Sequence, residues 1–159
     1  MIGKLNNEEI ETLLHNQVIA RLAIVYGNKP YVVPISYAYD GTFIYGFAKE
    51  GLKMEMMRKN PNVCIEVENT ENIANWQSVI SWGQFEELKS GRDRKYALEV
   101  LNKRILPVLN SETMRLSPLW PFITEEDTQK LEGIAFRIKL ETKTGRFEKS
   151  PQPQFYPAR

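Results

Sequence analysis

The pattern of hydrophobic and polar positions predicts one short helix and three strands in the first third of the chain. Residues 5–15 are typical of a helix, because Asn6 can cap its N-terminus and Glu9 can complete a capping box. Runs rich in β-branched and aromatic residues then predict strands at residues 18–26, 31–39 and 42–47. Residues 27–29 predict the first turn, and Asp40-Gly41 predicts a tight type I′ hairpin. The expected order is a helix followed by an antiparallel meander.

The rest of the chain alternates helical and strand patterns. A helix is expected at residues 51–59, where Leu52, Met56 and Met57 share one side and Asn60-Pro61 ends the pattern. Two strands should follow, with a polar loop between them and a bulge at Gly83 in the second. The later elements are strands at 62–68 and 77–88, the loop at 69–75, a helix at 93–105, a proline-punctuated segment at 116–122, a helix-cap signature at 124–127 and a last strand at 135–141.

Six strands with a few short helices predict a mainly β protein, a closed or nearly closed antiparallel barrel whose ends are covered by helices. We expect a single domain over residues 1–149. The tail, residues 150–159, holds three of the nine prolines and has no periodicity. It is either disordered or laid across a neighbour through Phe155 and Tyr156.

Composition narrows the function classes. Lysine and arginine number 21 against 20 acidic residues, so broad binding to nucleic acid or to an anionic membrane is not expected, and the partner should be a small molecule. No apolar run approaches the roughly 20 residues that cross a bilayer. The N-terminus lacks the regions of a signal peptide, which predicts a cytoplasmic location.

Few residues are available for direct chemistry. Cys64 is the only cysteine and His15 the only histidine, which excludes a disulfide framework and argues against a metal site or a Ser-His-Asp triad. Cys64 and Trp82 are expected to pack in strands, and His15 suits a helix C-terminus. The sequence therefore predicts no metal, and any chemistry should come from a cofactor.

Residues 42–60 are the strongest candidate for a binding site. An aromatic strand breaks at Gly46, and Lys49 and Lys53 flank Gly51 where a helix begins. Free backbone N–H groups at a helix start, next to fixed positive charge, bind phosphate. The alternative is that both lysines are solvated on an exposed turn.

The same residues carry a resemblance to a known family. Arg21-Leu22-Ala23, PYVVPISYAYDG, IYGFAKEGLKMEMMRKNPNVCIEVE, ANWQSVISWGQFEEL and TGRFEK resemble the flavin-binding split-barrel family related to pyridoxamine 5′-phosphate oxidase, and are most similar to its nitroimidazole-resistance branch. The resemblance implies a six-stranded split β-barrel and a homodimer. It also implies one flavin per subunit in the groove between the chains, most often FMN, with FAD as the alternative.

The resemblance also implies which residues bind the flavin. Lys49 and Lys53 would contact the phosphate near the backbone amides of Ala48, Glu50 and Gly51. The ring would be bordered by the backbone of Val18, Ile19, Ala20, Arg21, Pro34 and Ile35, with Tyr45 and Phe47 lining its pocket and Asn75, Trp76, Ser78 and Val79 approaching from the fifth strand. The apolar members fit barrel core equally well. A charge at Arg21 must either serve an anion or cofactor or pair with Glu66 or Glu68.

Phe47 limits the functional hypothesis, because members of that branch commonly carry a histidine there and a phenyl ring cannot move protons. We expect a flavin-dependent oxidoreductase acting on a small organic acceptor such as a nitroaromatic. No catalytic residue is identified, and Tyr37, Tyr45 and Arg21 are the nearest candidates for proton transfer. The alternatives are a flavin carrier or sensor without turnover and a haem-handling protein, for which the lone His15 leaves few axial ligands.

Overall fold

The computed structural model describes residues 1–89, 91–105 and 133–150, with eight strands and three helices among them. In chain order they are β1 Ile2–Lys4, α1 Asn7–Asn16, β2 Ile19–Tyr26, β3 Lys29–Ser36, β4 Ala38–Tyr39, β5 Phe43–Ala48, α2 Leu52–Lys59, β6 Asn62–Asn72, β7 Asn75–Leu88, α3 Gly91–Ile105 and β8 Ile134–Glu148. The predicted segments at 116–122 and 124–127 and all but the first residue of the tail lie outside the described residues.

The strands form one antiparallel sheet that returns on itself. Its order is β3-β2-β6-β7-β8-β5-β4, and β1 pairs with β8. The two end strands, β3 and β4, are separated in sequence by Tyr37 alone, so one continuous segment belongs to both edges of the sheet. The predicted mainly β antiparallel barrel is confirmed. The strand count is eight rather than six because β1 was not predicted and the predicted strand at 31–39 divides at Tyr37.

The barrel interior is filled by the inward-facing residues of its strands. Leu22, Ile44, Ile65 and Ile138 have no measurable exposure. Two helices contribute to the same core, which also includes buried residues of α1 and the methionines of α2. A second, smaller cluster lies outside the barrel, where α3 packs on β5 and β8. Each of the described helices is too short or too polar to span a membrane, and the cytoplasmic location stays a prediction.

One of the two predicted turns differs from the structure, and the other, between β2 and β3, is confirmed. The type I′ hairpin predicted at Asp40-Gly41 is wrong, because of this pair only Gly41 has a positive φ. The Asp40 carboxylate instead accepts hydrogen bonds from the Thr42 and Phe43 amides at 2.9 and 2.7 Å. The conformation that a type I′ turn needs occurs at Gly27 and Asn28, with φ values of 59° and 60°.

The two longest strands extend further than their sequences predict. The predicted loop at 69–75 is mostly strand, because β6 and β7 stay paired up to Asn72 and Asn75. Within the short turn between them, the Asn72 carboxamide oxygen accepts hydrogen bonds from the Ala74 amide at 2.9 Å and from Asn75 Nδ2 at 3.1 Å. Likewise β8 continues to Glu148 rather than ending near residue 141, since β7 pairs with it along nearly its whole length. The bulge predicted at Gly83 is confirmed by a register shift between Trp82 and Gly83.

Helix α1 is fixed to the barrel at its start and along one side. The predicted capping box is present: Asn6 Oδ1 accepts from the Glu9 amide at 2.9 Å and the Glu9 carboxylate accepts from the Asn6 amide at 2.7 Å. The Tyr39 hydroxyl donates to the Glu11 carboxylate at 2.8 Å, and Lys143 donates to both Glu11 and the Tyr39 hydroxyl. This network joins α1, β4 and β8.

We expect Lys143→Met to lower the free energy of unfolding by about 1–3 kcal/mol at pH 7, because it leaves a partly buried carboxylate without its partner. Burial raises the pKa of Glu11, but its hydrogen bonds with Lys143 and Tyr39 outweigh burial and the net pKa is lowered. Because the pKa of Glu11 is lowered, its carboxylate stabilises the fold at pH values above the ordinary pKa of 4.5. This stabilisation is lost as the pH falls through the lowered pKa. Urea unfolding should therefore separate variant from wild type at pH 7, and the difference should shrink as the pH falls below 4.5 through the lowered pKa.

Lys139→Met is the matched control for this prediction, since Lys139 is an exposed lysine on the same strand. It should change the free energy of unfolding by less than about 0.5 kcal/mol. A Lys143→Met variant as stable as the control at pH 7 would contradict the stabilising role of the network.

Candidate functional site

The junction between β5 and α2 leaves a helix N-terminus without a side-chain cap. We call residues 48–53 the lysine loop. The N-cap of α2 is Gly51, which has no side chain, and its backbone is extended, with φ 164°. The Gly51 carbonyl accepts from the amides of Met54 and Glu55 at 3.0 and 3.1 Å. The N–H groups that open the helix therefore receive no side-chain cap, which is the local arrangement that an anion site uses, and the anion site itself stays a prediction.

The two lysines of this loop have different surroundings. Lys49 is exposed, whereas Lys53 is half-buried and burial lowers its pKa. Neither lysine makes an ion pair with any residue in the described ranges. A half-buried cation without a counter-charge favours an anionic ligand, so the residues present fit a phosphate group. The alternative prediction, in which both lysines are solvated on an exposed turn, agrees with the exposure of Lys49 but not with the half-buried Lys53.

The acidic residue of the lysine loop is already neutralised. Glu50 accepts two hydrogen bonds from the Arg58 guanidinium, at 2.5 Å from Nη1 and 3.0 Å from Nη2. The hydrogen bonding with Arg58 lowers the pKa of Glu50 despite its exposure. Its negative charge is therefore directed to Arg58 and away from an incoming phosphate.

Several other predicted residues lie on one outer surface of the barrel. Side chains that are paired across β3, β2, β6 and β7 point to the same side of the sheet. We call this surface the outer face, and its register rows are Val32, Ala23, Cys64 and Trp82, then Pro34, Arg21, Glu66 and Ile80. Ile19 and Ser78 extend it by one row. Trp82 is 48% exposed here, so its predicted place in the core is wrong.

The remaining predicted members of these strands point into the barrel. Ala20, Ile35 and Val79 are 1%, 6% and 0% exposed. Their side chains belong to the core, and for Ala20 and Ile35 the predicted contact was through the backbone. Val18 is half-buried, and its carbonyl accepts from the Tyr37 amide at 3.0 Å.

Arg21 forms ion pairs on the outer face. Its Nη1 lies 2.8 Å from the Glu68 carboxylate and 3.2 Å from that of Glu66. The charge of Glu68 and the hydrogen bond with Glu66 raise the pKa of Arg21. The Ser78 hydroxyl donates to the other oxygen of Glu66 at 2.7 Å. Of the two predicted roles for Arg21, the structure shows the salt bridge.

Tyr45 and Phe47 lie beneath α3. Tyr45 is 2% exposed, its ring meets Tyr96 edge-on at 5.6 Å, and its hydroxyl donates to Asp40 at 2.8 Å. The Phe47 ring lies against Gly133 and 6.0 Å from the Arg94 guanidinium. Their predicted place in the flavin pocket stays a prediction, and this packing gives them a structural role in any case.

Asn75 and Trp76 are far along the sheet from the lysine loop. Trp76 Nε1 donates to Glu148 at 3.1 Å, and Asn75 accepts from the Ser150 amide at 3.1 Å. Both line a cleft of about 170 Å³. Ala48 pairs with one end of β8 and Trp76 with the other, so one chain does not bring the two parts of the predicted site together.

The candidates for proton transfer are held in other interactions. The Tyr37 hydroxyl is buried and donates to the Leu14 carbonyl at 2.7 Å, and burial raises the pKa of Tyr37. Burial and the hydrogen bond with Asp40 raise the pKa of Tyr45 as well. With Arg21 ion-paired, none of these three groups is poised to exchange a proton near neutral pH.

Arg58 and Glu87 are the residues beside the lysine loop that sequence reasoning missed. Arg58 Nε donates to the Glu87 carboxylate at 2.7 Å, which ties α2 to β7. An arginine late in a short helix is an ordinary surface residue by pattern. No local signal could have paired it with a glutamate on a distant strand.

The class of protein that this fold defines is a split antiparallel β-barrel. A sequence model of the pyridoxamine 5′-phosphate oxidase family matches residues 6–147. The chain belongs to that family.

Three relatives illustrate the similarity. A solved FAD-binding protein from Mesorhizobium loti is 28% identical, with a TM-score of 0.70 over 94% of this chain and 99% of that chain. A protein assigned to 5-nitroimidazole antibiotic resistance in Bacteroides thetaiotaomicron is 17% identical, with a TM-score of 0.68 over 92% of this chain and 87% of that chain. An uncharacterized protein of Rhizobium meliloti (strain 1021) is 32% identical over 104 residues, which are 63% of this chain and 69% of the relative.

Proposed function

We propose that this protein binds a flavin through its phosphate at the lysine loop and transfers electrons to a small organic acceptor. The observation that carries the proposal is Lys53 at an uncapped helix N-terminus, half-buried and without an ion-pair partner among the described residues. Family membership and the FAD-binding relative support a flavin as the phosphate compound. FMN is the first candidate, and FAD presents the same phosphate chemistry to the loop.

A bound flavin would supply the redox chemistry, and the protein supplies binding and orientation. Lys53 and Lys49 hold the phosphate charge, while the backbone at Gly51 leaves room for close approach. Tyr37 and Tyr45 keep their protons near neutral pH, so neither is expected to supply a proton to the acceptor. This arrangement favours acceptors such as nitroaromatics that can be reduced without a protein acid.

The first experiment is the visible absorption spectrum of the freshly purified protein, followed by denaturation and chromatography of the released compound. A flavin spectrum with FMN or FAD in the supernatant supports the proposal and identifies the cofactor. A protein that is colourless and binds neither added FMN nor added FAD contradicts it.

Turnover is tested separately with the flavin-loaded protein. We expect steady oxidation of a reduced nicotinamide when a nitroimidazole or another nitroaromatic is present as acceptor. Flavin binding without such oxidation would favour the other function, a flavin carrier or sensor. The imidazole missing at Phe47 is the observation that favours this second function.

We also propose a homodimer in the cytoplasm with the flavin in a groove between subunits. Two observations support the dimer. The outer face exposes Val32, Ile19, Trp82 and Ile80 by 57%, 49%, 48% and 38%. In addition, Asn75 and Trp76 lie at the opposite end of β8 from the lysine loop, so a second copy is needed to complete the predicted site.

Trp82→Glu should weaken dimer formation about 100-fold or more, because an unpaired charge would be buried in the interface. Light scattering across a concentration series measures this change. Tyr26→Glu is the control, since Tyr26 is 46% exposed at the end of β2 and does not belong to the outer face. A wild-type protein that carries flavin as a monomer would contradict the proposed dimer.

A further inference from the structure

The Arg58 side chain bridges a barrel strand and the lysine loop. Its Nε and Nη2 donate to the Glu87 carboxylate at 2.7 and 3.3 Å, while Nη1 and Nη2 donate to the Glu50 carboxylate at 2.5 and 3.0 Å. All three nitrogen atoms of the guanidinium therefore donate hydrogen bonds to carboxylates. A lysine could not hold two carboxylates in this way, because its ammonium is a point donor without the planar fork.

The two carboxylates differ in how firmly they are held. Glu87 lies on β7, where it is paired with Phe136 of β8, and its side chain is 17% exposed. Glu50 lies in the loop and its side chain is 59% exposed. Hydrogen bonding with Arg58 is the main cause that lowers the pKa of each, so both are ionised at neutral pH. Glu87 is the anchored end of the bridge and Glu50 is the end that it restrains.

The opposite end of α2 has its own attachments. Asn60 Nδ2 donates to the Val25 carbonyl at 2.7 Å, and the Phe85 amide donates to the Pro61 carbonyl at 2.9 Å. At the N-terminal end the cap residue is a glycine without a side chain. Besides the packing of the buried Met54, the Glu50–Arg58–Glu87 bridge is therefore the side-chain attachment that the described residues show at the end of the helix next to the lysines.

We propose that Arg58 and Glu87 are positioning residues that hold the lysine loop, through Glu50, in the conformation that binds the cofactor phosphate. This inference rests on the proposed function. The change in phosphate binding that it predicts for loss of Glu50 has the opposite sign to a simple charge effect. By charge alone, removing Glu50 would strengthen binding of an anion. If the bridge positions the loop, removing Glu50 weakens binding although a negative charge is lost.

The test compares FMN with riboflavin, which lacks the phosphate, in fluorescence titrations of wild type, Glu50→Ala, Arg58→Gln and the double variant. Each single variant should raise the Kd for FMN about tenfold, or about 1.4 kcal/mol, and leave the Kd for riboflavin within about twofold. The double variant should be no weaker than Arg58→Gln, because both substitutions open the same bridge. Glu86→Ala is the matched control, since Glu86 is a carboxylate on the same strand that pairs with Arg137. It should leave both constants unchanged.

The possible outcomes are distinct. Tighter FMN binding by Glu50→Ala, no change, or equal losses for FMN and riboflavin would overturn the positioning role and leave the proposed function standing. A wild type that binds FMN no better than riboflavin would overturn the phosphate site and the bridge's role with it. A wild type that binds neither would overturn the proposed function itself.

Discussion

Replacing Lys53 with alanine is expected to weaken FMN binding about 10- to 150-fold, which corresponds to the roughly 1.5–3 kcal/mol of a well-formed charge-assisted hydrogen bond. A large effect is expected because Lys53 is half-buried and has no acidic partner among the described residues. Riboflavin binding should hardly change, since the lost contact is with the phosphate. Titration of the apoprotein with both compounds measures the difference.

Lys59→Ala is the matched control for Lys53→Ala. Lys59 lies on the same helix, is exposed, and has its ammonium 4.9 Å from the centre of the Tyr26 ring. Its removal takes the same charge from α2 without removing the proposed contact, so FMN affinity should fall by less than about threefold. Equal losses in the two variants would show a general charge effect and would contradict a specific role for Lys53.

The lowered pKa of Lys53 adds a pH dependence to the same experiment. Because burial lowers its pKa in the free protein, the ammonium is lost at a pH below the ordinary value of 10.5. FMN affinity should therefore fall with rising pH earlier than an ordinary lysine would allow. The Lys53→Ala variant should lack this step, and a step of the same size in the variant would assign it to another group.

The parts of the fold that sequence could predict are those fixed by local contacts. The capping box of α1 needs only Asn6 and Glu9. Helix α2 was also predicted, but its buried side was only partly right, because Leu52 is 55% exposed and the buried Met54 was missed. The missed features depend on distant partners. Nothing near Tyr37 in sequence shows that β3 and β4 belong to opposite ends of the sheet, and the polar end of β8 becomes a strand because β7 pairs with it.

The predictions about the candidate site likewise divide into those that depend on local sequence and those that depend on distant contacts. The lysines at an uncapped helix start are a local pattern, and the structure shows that Lys53 is half-buried, while its contact with a phosphate stays a prediction. The salt bridge of Arg21 was one of two predicted roles, and the choice between them needed the register that sets Arg21 opposite Glu66. The exposure of Trp82 depends on which face of the sheet it occupies, and the bridge through Arg58 depends on a contact with a distant strand. Neither can be inferred from the sequence near these residues.

The largest loss of stability is expected at Gly83, where the β7–β8 register shifts. A Cβ atom added there would lie 2.3 Å from the Lys139 carbonyl oxygen and 2.8 Å from a methyl carbon of Ile138. The nearest obstacle is backbone, and Ile138 is fully buried, so relief requires moving β8 or breaking part of its ladder with β7. Overpacking of this kind costs about 1–3 kcal/mol and occasionally more, and we expect Gly83→Ala to cost about 3 kcal/mol.

Urea unfolding followed by circular dichroism measures this cost, and thermal unfolding of the same variant should show a fall in Tm of about 6–12 °C. Gly51→Ala is the matched control because a Cβ at Gly51 meets nothing within 4 Å. Its extended backbone suits alanine, so only the weaker N-cap preference is lost, about 1 kcal/mol or less. A Gly83→Ala variant no less stable than this control would mean that the bulge relaxes to admit a side chain. The close approach of β7 to β8 would then not require a glycine at position 83.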